Sequence, residues 1–145
     1  MHRKPRGFNL IELLIVVAVV AILAAIAYPS YRQHVVRVSR EAAQSQLMEL
    51  ANLQEKIFLN DSAYMVTNAR VATGYNGHAT GGLGVSYGKC AAGQTADCRY
   101  AVSVAGTATT FTLTATPVSG TTQTGDGWLA IDQSGQRTWQ NHDNW

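Results

Sequence analysis

The feature that most constrains this chain is the uncharged apolar run Leu13–Ala27, preceded by one carboxylate, Glu12, and by the basic residues Arg3, Lys4 and Arg6. From Phe8 to Tyr28 about 21 residues are apolar apart from Asn9 and Glu12, and at ~1.5 Å per residue such a helix spans roughly 30 Å, the hydrocarbon thickness of a bilayer. The segment can cross a membrane once. Its basic flank keeps residues 1–7 cytoplasmic by the positive-inside rule and sends everything after Tyr28 outward. Tyr28 and Tyr31 stand where amphipathic rings favour the exit interface. A carboxylate within the bilayer costs about 2.5–3.5 kcal/mol on insertion scales, so Glu12 needs a partner. Cleavage between Gly7 and Phe8 supplies one, because the new amino group lies one helical turn from Glu12 of the same chain and within reach of Glu12 in a neighbour.

The cut also changes the charge. The whole chain carries 11 Lys/Arg against 9 Asp/Glu, a formal +2. Removing Arg3, Lys4 and Arg6 leaves 8 against 9, or −1. A near-neutral mature surface argues against a general nucleic-acid binder acting through net charge.

Helical periodicity continues past the span, with Val36, Ala43, Leu47, Leu50, Ile57 and Phe58 recurring at three, four and seven and polar residues filling the other faces. One helix is expected from Phe8 to about Leu59, ended by Asn60, Asp61 and Ser62. Pro29 has no N–H for the carbonyl of Ala25, and a bend or a locally melted turn is expected there. Residues 60–98 are rich in Gly, Ala, Thr and Asn with no sustained period, and read as a long surface loop region. Alternation then sets in. Tyr100, Val102 and Val104 share one side, as do Phe111, Leu113 and Ala115; Leu129 and Ile131 follow, and Asp132–Gly135 reads as a tight turn into Arg137–Trp139. The expected architecture is α+β, the C-terminal half of a long helix laid on an antiparallel sheet of about four strands. The chain divides into a leader, 1–7, a membrane or filament-core half-helix, 8–35, and a globular head, 36–145.

Cys90 and Cys98 are too far apart for a redox CxxC and too few for structural zinc. Beyond a membrane segment the pair reads as a disulfide stapling a small loop, worth ~2–3 kcal/mol, with two unpaired thiols as the alternative. Phe58, Tyr100, Trp128 and Trp139 read as core or edge packing; Trp145 reads as a mobile end or a contact to a neighbour. Catalysis finds no support. His2, His34, His78 and His142 lack metal-ligand spacing, no serine sits in a GxSxG elbow, and Asp126, Asp132 and Asp143 suit turns better than a cation loop. Asn60-Asp-Ser62 is a formal glycosylation triplet of a kind common by chance. No enzyme, cofactor or metal is expected.

Arg6-Gly7-Phe8-Asn-Leu-Ile-Glu12, the basic leader, the apolar helix and Pro29 together resemble the prepilin signature of type IV pilins and type II secretion pseudopilins. The resemblance covers residues 6 to about 31. It implies that a membrane prepilin peptidase cuts after Gly7 and N-methylates Phe8. Glu12 then guides docking into a filament of pilin subunits, built by an inner-membrane assembly machinery, and Pro29 marks a kink. The precursor would sit in the inner membrane with a cytoplasmic N-terminus, and the product in an extracellular pilus. Tyr28-Pro-Ser-Tyr31, Ala51-Asn-Leu-Gln-Glu55, the strand ending at Pro117 and Gly135-Gln-Arg-Thr-Trp139 look like PilE-like pilins of the type IVa group. Many of those carry a cysteine just before the third strand, where this chain has Thr124-Gly-Asp-Gly-Trp128. The implied function is structural, a pilus subunit and by a slight margin a minor one. A secretion pseudopilin is one alternative. A DNA-binding pilin is another, with Arg70, Lys89, Arg99 and Arg137 as the head's candidate cations. A secretory signal peptide cleaved after Ala25-Ile-Ala27 fits less well, since it leaves Glu12 without a purpose.

Overall fold

The computed structural model describes residues 9–71, 73–84, 99–140 and 144–145. Helix α1 runs over Leu10–Asp61. Asn9 opens it, its carbonyl accepting the amides of Glu12 and Leu13 at 3.0 and 3.3 Å. The chain forms two compact units, Met1–Val35 and Val36–Trp145.

In the first unit the helix stands bare. The large apolar side chains from Leu10 to Ile26 are each at least 50 % exposed, so no described part of the chain covers them. α1 is long and apolar enough here to cross a membrane. Of the bend or melted turn expected at Pro29, the melted turn is not formed, since the helix runs unbroken through it. A proline removes one hydrogen bond from the ladder, and the flanking bonds carry the helix across that gap.

In the second unit, the head, Ala43, Leu47, Leu50, Gln54 and Ile57 are buried at alternating spacings of four and three, one stripe of the helix. It faces a four-stranded antiparallel meander, β1 (Tyr100–Thr107), β2 (Thr110–Pro117), β3 (Leu129–Asp132) and β4 (Arg137–Trp139), in the order β1-β2-β3-β4. The register aligns Val102 with Ala115, Val104 with Leu113, Leu113 with Ile131 and Ala115 with Leu129, so the alternating apolar residues share one face. With the helix stripe they form the core. Between β3 and β4, Asp132 accepts the amides of Ser134 and Gln136 through Oδ1 at 2.9 and 3.0 Å, the anticipated turn.

Three expectations need correction. The helix extends through Asn60 and Asp61, and Ser62, at φ +53°, closes it by donating to the Phe58 carbonyl at 2.8 Å. The described part of 60–98 is more than surface loop: Tyr64, Met65, Val71 and Leu83 belong to the core. Single apolar residues in an irregular segment leave no period to read. Gln54 explains how this segment is buried, since its amide bonds both the N–H and the carbonyl of Met65, at 3.0 and 2.6 Å. Trp145 is half-buried against the core, donates Nε1–H to the Ala130 carbonyl at 3.2 Å and lies under the Arg137 guanidinium, 5.3 Å from its ring centre. Its ring is therefore packed on the head and not fully exposed.

Candidate functional site

Where the helix enters the head, Val36, Ser39 and Arg40 are each held by the sheet side of the molecule. Arg40 grips Asp126 with both arms of its guanidinium, Nε to Oδ2 at 2.9 Å and Nη2 to Oδ1. Tyr100 of β1 donates its hydroxyl to the same carboxylate. Gln123 Nε2 reaches Asp126 Oδ2 at 2.6 Å, the Tyr100 hydroxyl oxygen at 3.0 Å and the Val36 carbonyl at 3.2 Å. From β4, Trp139 donates its indole N–H to the Asp126 carbonyl at 2.8 Å, and its ring lies 3.9 Å below the Arg40 guanidinium. Gly125 and Gly127, both at φ +90°, let the chain turn Asp126 inward between two left-handed residues.

The electrostatics are those of a joint. Burial opposes the charge of Asp126, but the hydrogen bonds from Arg40, Tyr100 and Gln123 hold its carboxyl below the usual range. The Arg40 guanidinium is raised by its bond to Asp126. Burial, reinforced by the neighbouring carboxylate, pushes the Tyr100 hydroxyl well up, so it stays a neutral donor. The network ties α1, β1, the β2–β3 connection and β4 at one point. Turn formation was the role expected of Asp126, and the carboxylate instead anchors this joint. No spacing in the sequence links positions 40 and 126.

The three described candidate cations lie at the two edges of the sheet. Arg99 immediately precedes β1, with its carbonyl accepting the Val118 amide at 2.9 Å and its Nη1 donating to Ser39 Oγ at 2.6 Å. Arg70 ends a short 3-10 turn, Asn68–Arg70, whose Asn68 Oδ1 accepts the Val104 amide of β1 at 2.9 Å. Arg70 and Arg99 thus share the β1 edge, whereas Arg137 lies on β4, the opposite edge. Glu12 is exposed in the first turn of α1. Gly7, Phe8, Lys89, Cys90 and Cys98, and with them the cleavage site and the disulfide reading, lie outside the described residues.

A long helix, bare and apolar in its N-terminal part and laid on an antiparallel meander in its C-terminal part, behind a prepilin-like leader, is the architecture of a type IV pilin. Residues 2–28 match the prokaryotic N-terminal methylation motif. Residues 29–127, about two thirds of the chain, match the family described as type IV minor pilin ComP, DNA uptake sequence receptor, and the chain belongs to that family. No curated protein and no solved structure gives a significant match.

Proposed function

We propose that this protein is a minor subunit of a type IV pilus whose head binds DNA for uptake. The match of residues 29–127 to the DNA uptake receptor family carries the reading and moves DNA binding ahead of a purely structural role or secretion. The precursor is held in the inner membrane by α1, is cut between Gly7 and Phe8 by prepilin peptidase and N-methylated at Phe8. It joins other pilins through its apolar helix, with Glu12 answering a neighbour's amine. Cys90 and Cys98 close a disulfide loop beside Arg99.

The head is near neutral, so its DNA affinity comes from placed cations and not from bulk charge. The Val104 amide to which the Asn68–Arg70 turn is attached lies five positions beyond Arg99, about 17 Å of strand, enough to reach phosphates on both sides of a groove about 12 Å wide. Two or three phosphate contacts give a slope of log K against log salt of about −2 to −3. The test uses full-length protein in non-ionic detergent and a random-sequence duplex pool, with enrichment read by sequencing. Binding with that slope, reduced by about 0.9 in Arg70→Ala or Arg99→Ala, is expected. No retention of any duplex at 50 mM salt would refute the reading.

A further inference from the structure

Directly after the apolar run, α1 carries Tyr28, Tyr31 and Arg32. Positions i, i+3 and i+4 of a helix lie on one face, so the three side chains form one patch. All are open: Tyr28 is 66 % exposed, Tyr31 67 %, and Arg32 is exposed as well. Arg32 has neither an ion pair nor a hydrogen bond among the described residues. The helix offers it no counter-charge, because the residues four positions away are Tyr28 and Val36. The chain holds no Asp or Glu between Glu12 and Glu41.

The height of this patch follows from helix geometry. With α1 spanning the inner membrane as proposed above, Ala27 closes the apolar run at the outward hydrocarbon boundary. Tyr28 then begins the headgroup zone, and Arg32 stands roughly 7.5 Å beyond Ala27. That zone is about 5–8 Å deep on each side of a bilayer, so the Arg32 backbone reaches its outer limit. Side chains of a helix lean toward its N-terminus, which returns the guanidinium to the level of the lipid phosphates, beside the tyrosines. A cation on the exported side also runs against the positive-inside bias that orients the span, so insertion alone does not account for it.

We propose that Tyr28, Tyr31 and Arg32 form a binding site for the headgroup of an anionic phospholipid in the outward leaflet, the guanidinium holding the lipid phosphate; this rests on the membrane-anchored precursor of the reading above. Guanidinium and phosphate match as a fork of two parallel hydrogen bonds. A zwitterionic lipid carries its own cation beside the phosphate, which competes for it, whereas an anionic headgroup leaves a net negative charge for Arg32 to neutralise. The tyrosine hydroxyls donate to headgroup oxygens while their rings stay on the hydrocarbon side, the placement that aromatic belts favour. The site fixes the depth of the helix before assembly and selects its lipid by charge. It empties when the subunit leaves the membrane for the pilus.

The experiment presents the full chain in non-ionic detergent with equal amounts of phosphatidylglycerol and phosphatidylcholine of identical acyl chains, and counts bound lipids by native mass spectrometry. One arginine at headgroup level is worth about a fivefold preference, so the phosphatidylglycerol adduct is expected to dominate and Arg32→Gln to reduce its excess about fivefold. The basic leader is common to both proteins and cancels in that comparison. Arg32→Lys keeps the charge without the fork and is expected to fall between them. Equal adducts in the original chain, or an unchanged ratio in Arg32→Gln, overturn the site alone. An unchanged lipid ratio accompanied by weaker duplex-DNA binding does the same and assigns the arginine to DNA. Failure of the original chain to float with phosphatidylcholine vesicles overturns the membrane-anchored reading, and this one with it.

Discussion

Replacing Asp126 by Asn keeps the side-chain shape and removes the charge on which the helix–sheet joint within the head depends. In the structure the Asp126 side chain is 6 % exposed and that of Arg40 22 %. The Asn oxygen can occupy the place of Oδ2, where Arg40 Nε, Tyr100 and Gln123 converge; its NH2 then faces Arg40 Nη2, donor against donor. Arg40 is left partly buried without a counter-charge. Removing one partner of a buried pair costs about 3–5 kcal/mol, and the partial exposure of Arg40 places this case near 3 kcal/mol. At about 4 °C per kcal/mol for a head of this size, the unfolding midpoint falls by roughly 12 °C. The assay is thermal unfolding of the full chain in detergent, followed by circular dichroism. The double replacement Arg40→Met with Asp126→Leu removes both charges together and is expected to lose clearly less than the two single changes summed. A shift under about 3 °C for Asp126→Asn, or strict additivity in the double variant, would refute the joint.

Stability should form a plateau in pH. Asp61, Asp126 and Asp132 are all held below the ordinary carboxylate value of about 4. The unfolded chain then binds protons first as pH falls, so the stabilisation present at neutral pH is lost progressively below about 5. Tyr100 and Tyr64 are raised, chiefly by burial, so the unfolded chain loses their protons first and stability falls above about pH 10. Unfolding midpoints measured from pH 2 to 11 check both limbs, and Asp126→Asn should flatten the acid one. In the N-terminal unit, Glu12→Gln is expected to leave the protein in the membrane and cut, with intact mass giving an N-terminus at methylated Phe8. The variant should be depleted from sheared pili; normal recovery there would remove Glu12 from the assembly step.

The elements of this fold announce themselves through local periods. Leu47, Leu50 and Ile57 recur at helical spacing, Val102 and Val104 or Phe111 and Leu113 alternate, and Asp132–Gly135 carries turn chemistry within four residues. The leader motif is local too, and it placed the chain among the pilins. Each of these signals is short-range: the residues that make it are neighbours along one helix face or one strand.

The joint and the segment that follows α1 contain no such signal. Arg40 and Asp126 are 86 residues apart, and Asp61 and His78 are 17 apart. Gln54 sits in an apolar stripe where its polarity argues for the surface, and only the unpaired backbone of Met65 explains its burial. Met65, Leu83 and Trp145 join the core from segments with no repeat. A helix or strand is decided by backbone hydrogen bonds between near neighbours and by which face is apolar, both written in consecutive residues. A buried polar group is decided by whichever unsatisfied partner the folded chain brings within 3 Å, and that is settled only when the sheet closes over the helix.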